Sequence, residues 1–549
     1  MFSFIKESYR SITSAEKKFL FLTILIVIFL SSLATIYAKI IETDDVYLTS
    51  INTVAGSDKP VYISQIEQAR RGNILFKNLY TAEPQQARFF APIWLIIGWF
   101  GSLTGISNFI SFHLFRILFG IIFLILLYLF ISKYFYKINQ RKLAFLILCF
   151  SSGFGIFTLK RFVSPEIMYE YFGTDLWVSE GNTFLTFSHS ALFICSQIFI
   201  LLIFWWAIER LQKSRYLEVV EIGLIVLFLG FFHPYDLVII FGVLGVFIIT
   251  ESLRSKKIVW KSIFKLIIIG LISLTSVIYF LWLFKTEPAM GGWASQNMTI
   301  SPRFLNYLLG YGLLFFTSTI ALYKLAKSQN IYNRFLSVWI IVNWYLLFLP
   351  LQFQRRLANG LHISMSIAGV IGLLFLINWL KIRSPKIYKN SFFQSLSITV
   401  ITLSLIVTTL FSIIIGIVIY SYKAPPQFIS QEVYQAILWV KENLDDNDVI
   451  LTDPTNGNIF PSITGKIVYI GHGHQTIDWE TKLAKSQWWF FVSNKQDEAK
   501  KKWLYQEKIN YIFFSRLEDE LGDYAPEKKD YLEKVFDNGE VKIFKVKDK

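Results

Sequence analysis

Cysteine, histidine and charge are scarce in this 549-residue chain, which has two cysteines, six histidines and only 17% charged residues. Each scarcity narrows the choices. Cys149 and Cys195 both fall inside apolar runs, where a thiol packs as a small apolar group and says little about redox compartment. His472 and His474, in "YIGHGHQTIDWETK", stand with scattered Asp478 and Glu480 and do not specify a metal site; a structural or lid role suits them better. No P-loop or dinucleotide fingerprint occurs, because "SSGFG" (151–155) lies at an apolar run and lacks the spacing. Internal repeats and low-complexity tracts are also missing.

What the chain does have is apolar surface: 54% hydrophobic and 17% aromatic residues, with a mean hydropathy of +0.47. Its many apolar runs match the roughly 20 residues that a bilayer crossing requires, which a soluble core would not need. The expected class is a polytopic membrane protein. The first run, "FLFLTILIVIFLSSLATIYA", is long and is followed by others, so it reads as a retained anchor rather than a signal sequence. With the N-terminus cytoplasmic, eleven spans are expected near 18–38, 109–131, 143–160, 186–207, 217–232, 235–251, 263–284, 303–323, 335–350, 362–380 and 394–421. The net charge of +15 then gathers in short inside loops such as "KYFYKINQRK", "RSKKIVWKSIFK" and "KIRSPKIYK", where it orients the chain and implies no nucleic acid. "APIWLIIGWFGSLTG" (91–105) is short for a crossing and is expected as an interfacial or half-inserted helix, a short tilted crossing being the alternative. The two short spans at 217–251 are joined by "HPYD", a break that only protein or a water-filled cavity can cover.

Residues 1–424 are therefore read as an all-α membrane domain with a large outside loop at 39–108, and residues 425–549 as an extracytoplasmic α/β domain. "KAPPQF" ends the last span, after which "DVILTD", "KIVYIG", "INYIFFS" and "EVKIFKV" read as strands.

The acidic residues of the first outside loop include Asp44, Asp45, Asp58 and Glu83. Asp58 stands two residues before Pro60, so Asp58 or Ser57 can cap a short helix through Gln68, with Tyr62 on one of its faces. Capping fixes a carboxylate without excluding a second role. The second outside loop interleaves aromatics with Glu166, Glu170, Asp175 and Glu180, which suits a sugar or, equally, an interfacial aromatic belt with ordinary loop acids. His189, His233 and Asp236 lie at the outer ends of spans, where a polar group signals an internal site or a structural hydrogen bond. Arg355 and Arg356, in "LQFQRRLANGLHIS", suit a lipid phosphate, either of a specific carrier or of ordinary phospholipid.

"SDKPVYISQIEQARRG" resembles the Asp, Glu, Pro, Arg, Tyr opening of the first periplasmic loop in aminoarabinose and mannose transferases, bacterial membrane glycosyltransferases of the GT-C fold. Asp58 and Tyr62 match that opening; Lys59 replaces its second acid and Val61 its arginine. The order of "NLYTAEPQ", "SEGNTFLTFSHSAL", "FFHPYD", "QRRLANGLH" and "GHGHQTIDWETK" is similar, over nearly the whole chain, to a further bacterial group assigned to these transferases. The resemblance implies inverting transfer of a sugar from a polyprenyl-phosphate carrier to a glycan, lipid or protein acceptor at the outer face of a bacterial plasma membrane. It makes Asp58 the catalytic base, Arg355 or Arg356 the phosphate ligand, and Tyr62, His233 and Asp236 orienting groups. Asp44, Asp45, Glu83, Glu166, Glu180 and His189 are candidate substrate contacts. No cofactor is firmly implied, no metal ligand is assigned, and a divalent metal stays open. A transporter or lipid flippase and a catalytically idle assembly protein are the competing classes.

Overall fold

The computed structural model describes residues 2–51, 58–161 and 171–547. They form two compact units: Met1–Ala34, Leu114–Ile278 and Thr299–Ile415 make the first, and Thr35–His113, Tyr279–Met298 and Gly416–Lys549 the second.

Among the described residues, eight helices are long and apolar enough to cross a membrane: Ser14–Ile41, Asn108–Ile131, Ile138–Leu159, Ala191–Arg210, Asp236–Ser255, Trp260–Thr286, Gln354–Arg383 and Ser391–Ser421. Their exposed faces carry large apolar side chains such as Leu271, Leu281 and Ile398, which suit lipid and not water. The chain is a multi-pass membrane protein. The other segments expected to span are helical too, but bent or short. Phe304–Tyr311 and Leu313–Ala326 meet at 94° and supply a ninth crossing if they count as one. Gly312 makes that bend: its φ is +49°, and a Cβ there would come 2.9 Å from the Gly153 Cα, so only glycine fits. Tyr216–Phe232 and Ile331–Leu346 have 17 and 16 residues, about 25 Å of helix at ~1.5 Å per residue. Pro92–Thr104, the short apolar helix of the first loop, has 13 residues and ends at Gly105 in a left-handed cap. Its length of roughly 20 Å falls short of a ~30 Å hydrocarbon core.

The second unit is built on strands. β1 (Val46–Leu48) pairs antiparallel with β2 (Phe428–Ser430), which ties the first loop to the segment after the last span. β3 (Val449–Leu451), β4 (Ile467–Val468), β5 (Tyr511–Phe514), β6 (Leu532–Asp537) and β7 (Lys542–Val546) form one sheet in the order β4-β3-β5-β7-β6. β3 runs parallel to β4 and β5, while β7 is antiparallel to both of its neighbours. Two apolar cores flank these strands. Leu79 joins one of them, with Leu451, Tyr469 and Phe544; Ile51, Val61 and Tyr80 join the other, with Ile437, Phe460 and Phe513. The first loop is thus packed into the C-terminal α/β structure, and the Val468 N–H donates to the Leu79 carbonyl at 2.9 Å to extend the sheet edge.

Candidate functional site

Each unit gathers its own group of candidate side chains. In the second, Asp58 is the first residue of helix Asp58–Arg70, where the helix dipole favours a negative charge. Its side chain is 29% exposed, and Oδ1 lies 3.3 Å from Nε2 of the buried His472. Ser57, the alternative cap, lies outside the described residues. One helical turn on, Tyr62 stacks on Trp94 with ring centres 4.8 Å apart, and Trp94 in turn faces Phe112 at 6.1 Å. Lys59, standing where the resembled pattern has an acid, is buried; its Nζ is 3.4 Å from His113 Nε2 and under 6 Å from the Phe109 and Phe112 ring centres.

His472 follows β4 in a turn that two separate segments hold, 78–80 of the first loop and the stretch around Gln296. Asn78 Nδ2 donates to the Gln475 carbonyl at 2.8 Å, Thr476 Oγ1 donates to the Tyr80 carbonyl at 2.8 Å, and Gln296 Nε2 donates to the Thr476 carbonyl at 2.6 Å. Asp44 and Asp45 lie exposed in the turn before β1, and the Asp45 carbonyl accepts the Gln431 N–H at 2.9 Å. Glu83 pairs with Lys482 at 2.7 Å and accepts the Thr81 hydroxyl, so it fastens helix Trp479–Lys485 to the first loop.

In the first unit, the buried Glu180 pairs with Arg356, which is partly exposed. Burial works against ionisation of Glu180, but Arg356 and then Arg355 more than offset it and hold the carboxyl below its ordinary value. The Arg355 guanidinium lies 4.8 Å from the Trp177 ring centre, and that of Arg356 lies 5.7 Å from Phe193. Phe193 also faces His189 at 5.5 Å and His233 at 5.6 Å. The "HPYD" break and the "QRRLANG" loop are braced by a network around the fully buried Asp236. His233 Nδ1 is 2.9 Å from its Oδ2, Ser196 donates to the same oxygen, and Asn359 Nδ2 donates to Oδ1 at 2.9 Å. The structure therefore brings Glu180, His189, His233, Asp236 and both arginines into one neighbourhood. Glu166 lies outside the described residues.

Several partners in these groups escape a reading by residue type. Asn359 and Ser196 are unremarkable in a sequence, and His472 stands 414 residues from Asp58. Asp175, one of the acids of the aromatic second outside loop, accepts from the Gly153 and Gly155 N–H groups at 2.9 and 3.4 Å, closing the "SSGFG" turn as a bound anion would. Burial pushes its carboxyl up to about 7. Among the described residues, no group of three or more His, Cys, Asp or Glu side chains is arranged to hold a metal ion.

No family model matches the chain, and no curated protein does. Solved structures are more informative. The oligosaccharyltransferase of Archaeoglobus fulgidus, tethered with an acceptor peptide containing the NVT sequon, aligns with 90% of this chain and 69% of its own at a TM-score of 0.53 and 12% identity. AglB from the same organism, in complex with an inhibitory peptide and a dolichol-phosphate, covers 92% and 70% at a TM-score of 0.51 and 12% identity. The fold is of the GT-C type. ArnT from Cupriavidus metallidurans, bound to undecaprenyl phosphate, covers 97% and 98% at 11% identity and a TM-score of 0.47.

Within this GT-C-type fold the two groups offer different chemistry. The second unit presents a carboxylate that is held at a helix start yet reaches solvent, which suits proton acceptance. The first presents guanidiniums laid on aromatic faces beside one buried carboxylate, which suits an oxyanion.

Proposed function

We propose that the chain is an inverting glycosyltransferase of a bacterial plasma membrane, moving a sugar from a polyprenyl-phosphate carrier to an acceptor hydroxyl at the outer face. Asp58 takes the hydroxyl proton as the acceptor oxygen attacks the anomeric carbon. The bond from that carbon to the carrier phosphate breaks, its electron pair stays on the phosphate oxygen, and Arg355 with Arg356 offsets the resulting charge. Attack opposite the leaving group inverts the anomeric centre. The acceptor is a glycan, lipid or protein.

The observation that carries this reading is the partly exposed Asp58 carboxylate at the first turn of its helix, in a chain whose fold matches AglB, itself described with a dolichol-phosphate. The test is a transfer assay. Full-length protein in lipid vesicles is supplied with a panel of polyprenyl-phosphate-linked sugars, and released polyprenyl phosphate and the anomeric configuration of the product are measured. Carrier release with inversion is expected. Movement of the intact lipid across the bilayer without cleavage would replace the enzyme by a flippase.

A further inference from the structure

His472 Nε2 lies 3.3 Å from Asp58 Oδ1. Nδ1 accepts the His474 N–H at 3.1 Å and the Gln475 N–H at 3.2 Å. A ring nitrogen that receives two backbone donors carries no proton of its own, so the ring's N–H sits on Nε2, which faces Asp58 Oδ1 at 3.3 Å. The ring has little room to turn, since it is buried and its turn is pinned from Asn78, Tyr80 and Gln296. Two titratable rings stand near it, Tyr80 edge-on at 6.0 Å and His474 at 6.1 Å.

Resting on the reading of Asp58 as base, we propose that His472 is its positioning residue: a neutral imidazole whose Nε2–H donates to Oδ1 and holds the carboxylate. The donated hydrogen bond favours the ionised carboxylate and keeps it from rotating. It also makes the C-terminal α/β domain part of the proton-transfer apparatus, although it need not touch substrate there.

Two substitutions separate this role from simple support of the turn. In His472→Gln the amide nitrogen falls near Nε2 and can still donate to Asp58, while the acceptor for the turn is lost. In His472→Asn the amide oxygen falls near Nδ1 and keeps the turn, while the donor to Asp58 is lost. Asp58 ionisation is read directly in full-length protein, by carbodiimide-driven coupling of an amine to the protonated carboxyl from about pH 3 to pH 8, mapped by peptide mass spectrometry. The expected result is a midpoint raised by about one pH unit in His472→Asn, with the acid limb of kcat/KM moved the same way, and both left near wild type in His472→Gln. An unmoved midpoint in His472→Asn overturns the proposal, whatever the variant's activity. So does the converse pattern, with Asn normal and Gln impaired, which belongs to a turn support. The base assignment fails separately, if Asp58→Asn transfers sugar normally while the labelling shift in His472→Asn stands.

Discussion

Asp58 combines rigidity with access: the helix start and His472 hold it, and nearly a third of its side chain still meets solvent. Asp58→Asn keeps the shape of the side chain and can still accept the His472 N–H, but it cannot take a proton at neutral pH. Its transfer rate is expected to drop by roughly 100-fold with membrane insertion unchanged; near-normal turnover in the vesicle assay removes Asp58 as base. The arginines, identical in a sequence, differ in what they hold. Arg356 is the partner of the buried Glu180, so Arg356→Ala strands that carboxylate and is expected to cost about 3 kcal/mol of stability along with any loss of activity. Arg355, laid over Trp177, gives the cleaner test of phosphate binding. Loss of a charge-assisted contact in Arg355→Ala is worth about 2 kcal/mol, or roughly 30-fold in rate. Arg355→Lys keeps charge but not the planar fork, so a partial defect is expected; wild-type turnover in both variants would refute the phosphate role.

Buried polar groups tie elements of this fold together. The 94° bend at Gly312 sits against Gly153, and the "SSGFG" turn that includes Gly153 is closed by Asp175. Burial raises the Asp175 carboxyl from an ordinary 3.8 to about 7. Between those values the folded chain keeps a proton that the unfolded chain has released. The stabilisation is therefore complete at low pH and is lost as pH rises through about 7, with a slope of at most ~1.4 kcal/mol per pH unit. Asp175→Asn still offers an oxygen to the Gly153 and Gly155 N–H groups but has no charge to bury. Its thermal midpoint in detergent is expected to match wild type near pH 4 and to exceed it at about pH 8. A variant with an undiminished wild-type slope assigns the pH dependence to other groups. Such links explain which elements were readable beforehand. The long apolar helices announce themselves by composition and length alone, and the "HPYD" break by its polar residues between two apolar runs. The bend at Gly312 was not readable, since a glycine inside an apolar run is common and only the close approach of Gly153 shows why it is needed here.

At the scale of the whole molecule, apolar run length and loop charge are local quantities, and so the membrane class and most spans were legible. Packing partners are not local. Leu79 and Tyr80 belong to the cores of the C-terminal strands, and β1 pairs with β2 across almost 400 residues of chain, which one sequence alone cannot reveal. The candidate site divides in the same way. Arg355, Arg356, Asp58 and the "HPYD" residues stood out as polar groups beside apolar runs, whereas His472 looked like a turn residue until its partner was known. Sidedness is the large-scale property on which the functional proposal depends, because an acceptor at the outer face requires the second unit outside. The buried Cys149 and Cys195 leave a quiet background for thiol labelling. Tyr136, 95% exposed in a basic loop assigned to the inside, and Lys495, exposed in the C-terminal domain, are suitable sites for single cysteines. With a membrane-impermeant maleimide on intact cells, Lys495→Cys is expected to react and Tyr136→Cys to react only after permeabilisation. If Tyr136→Cys reacts in intact cells, or Lys495→Cys stays silent until lysis, the outer-face assignment falls and the acceptor must be sought in the cytoplasm.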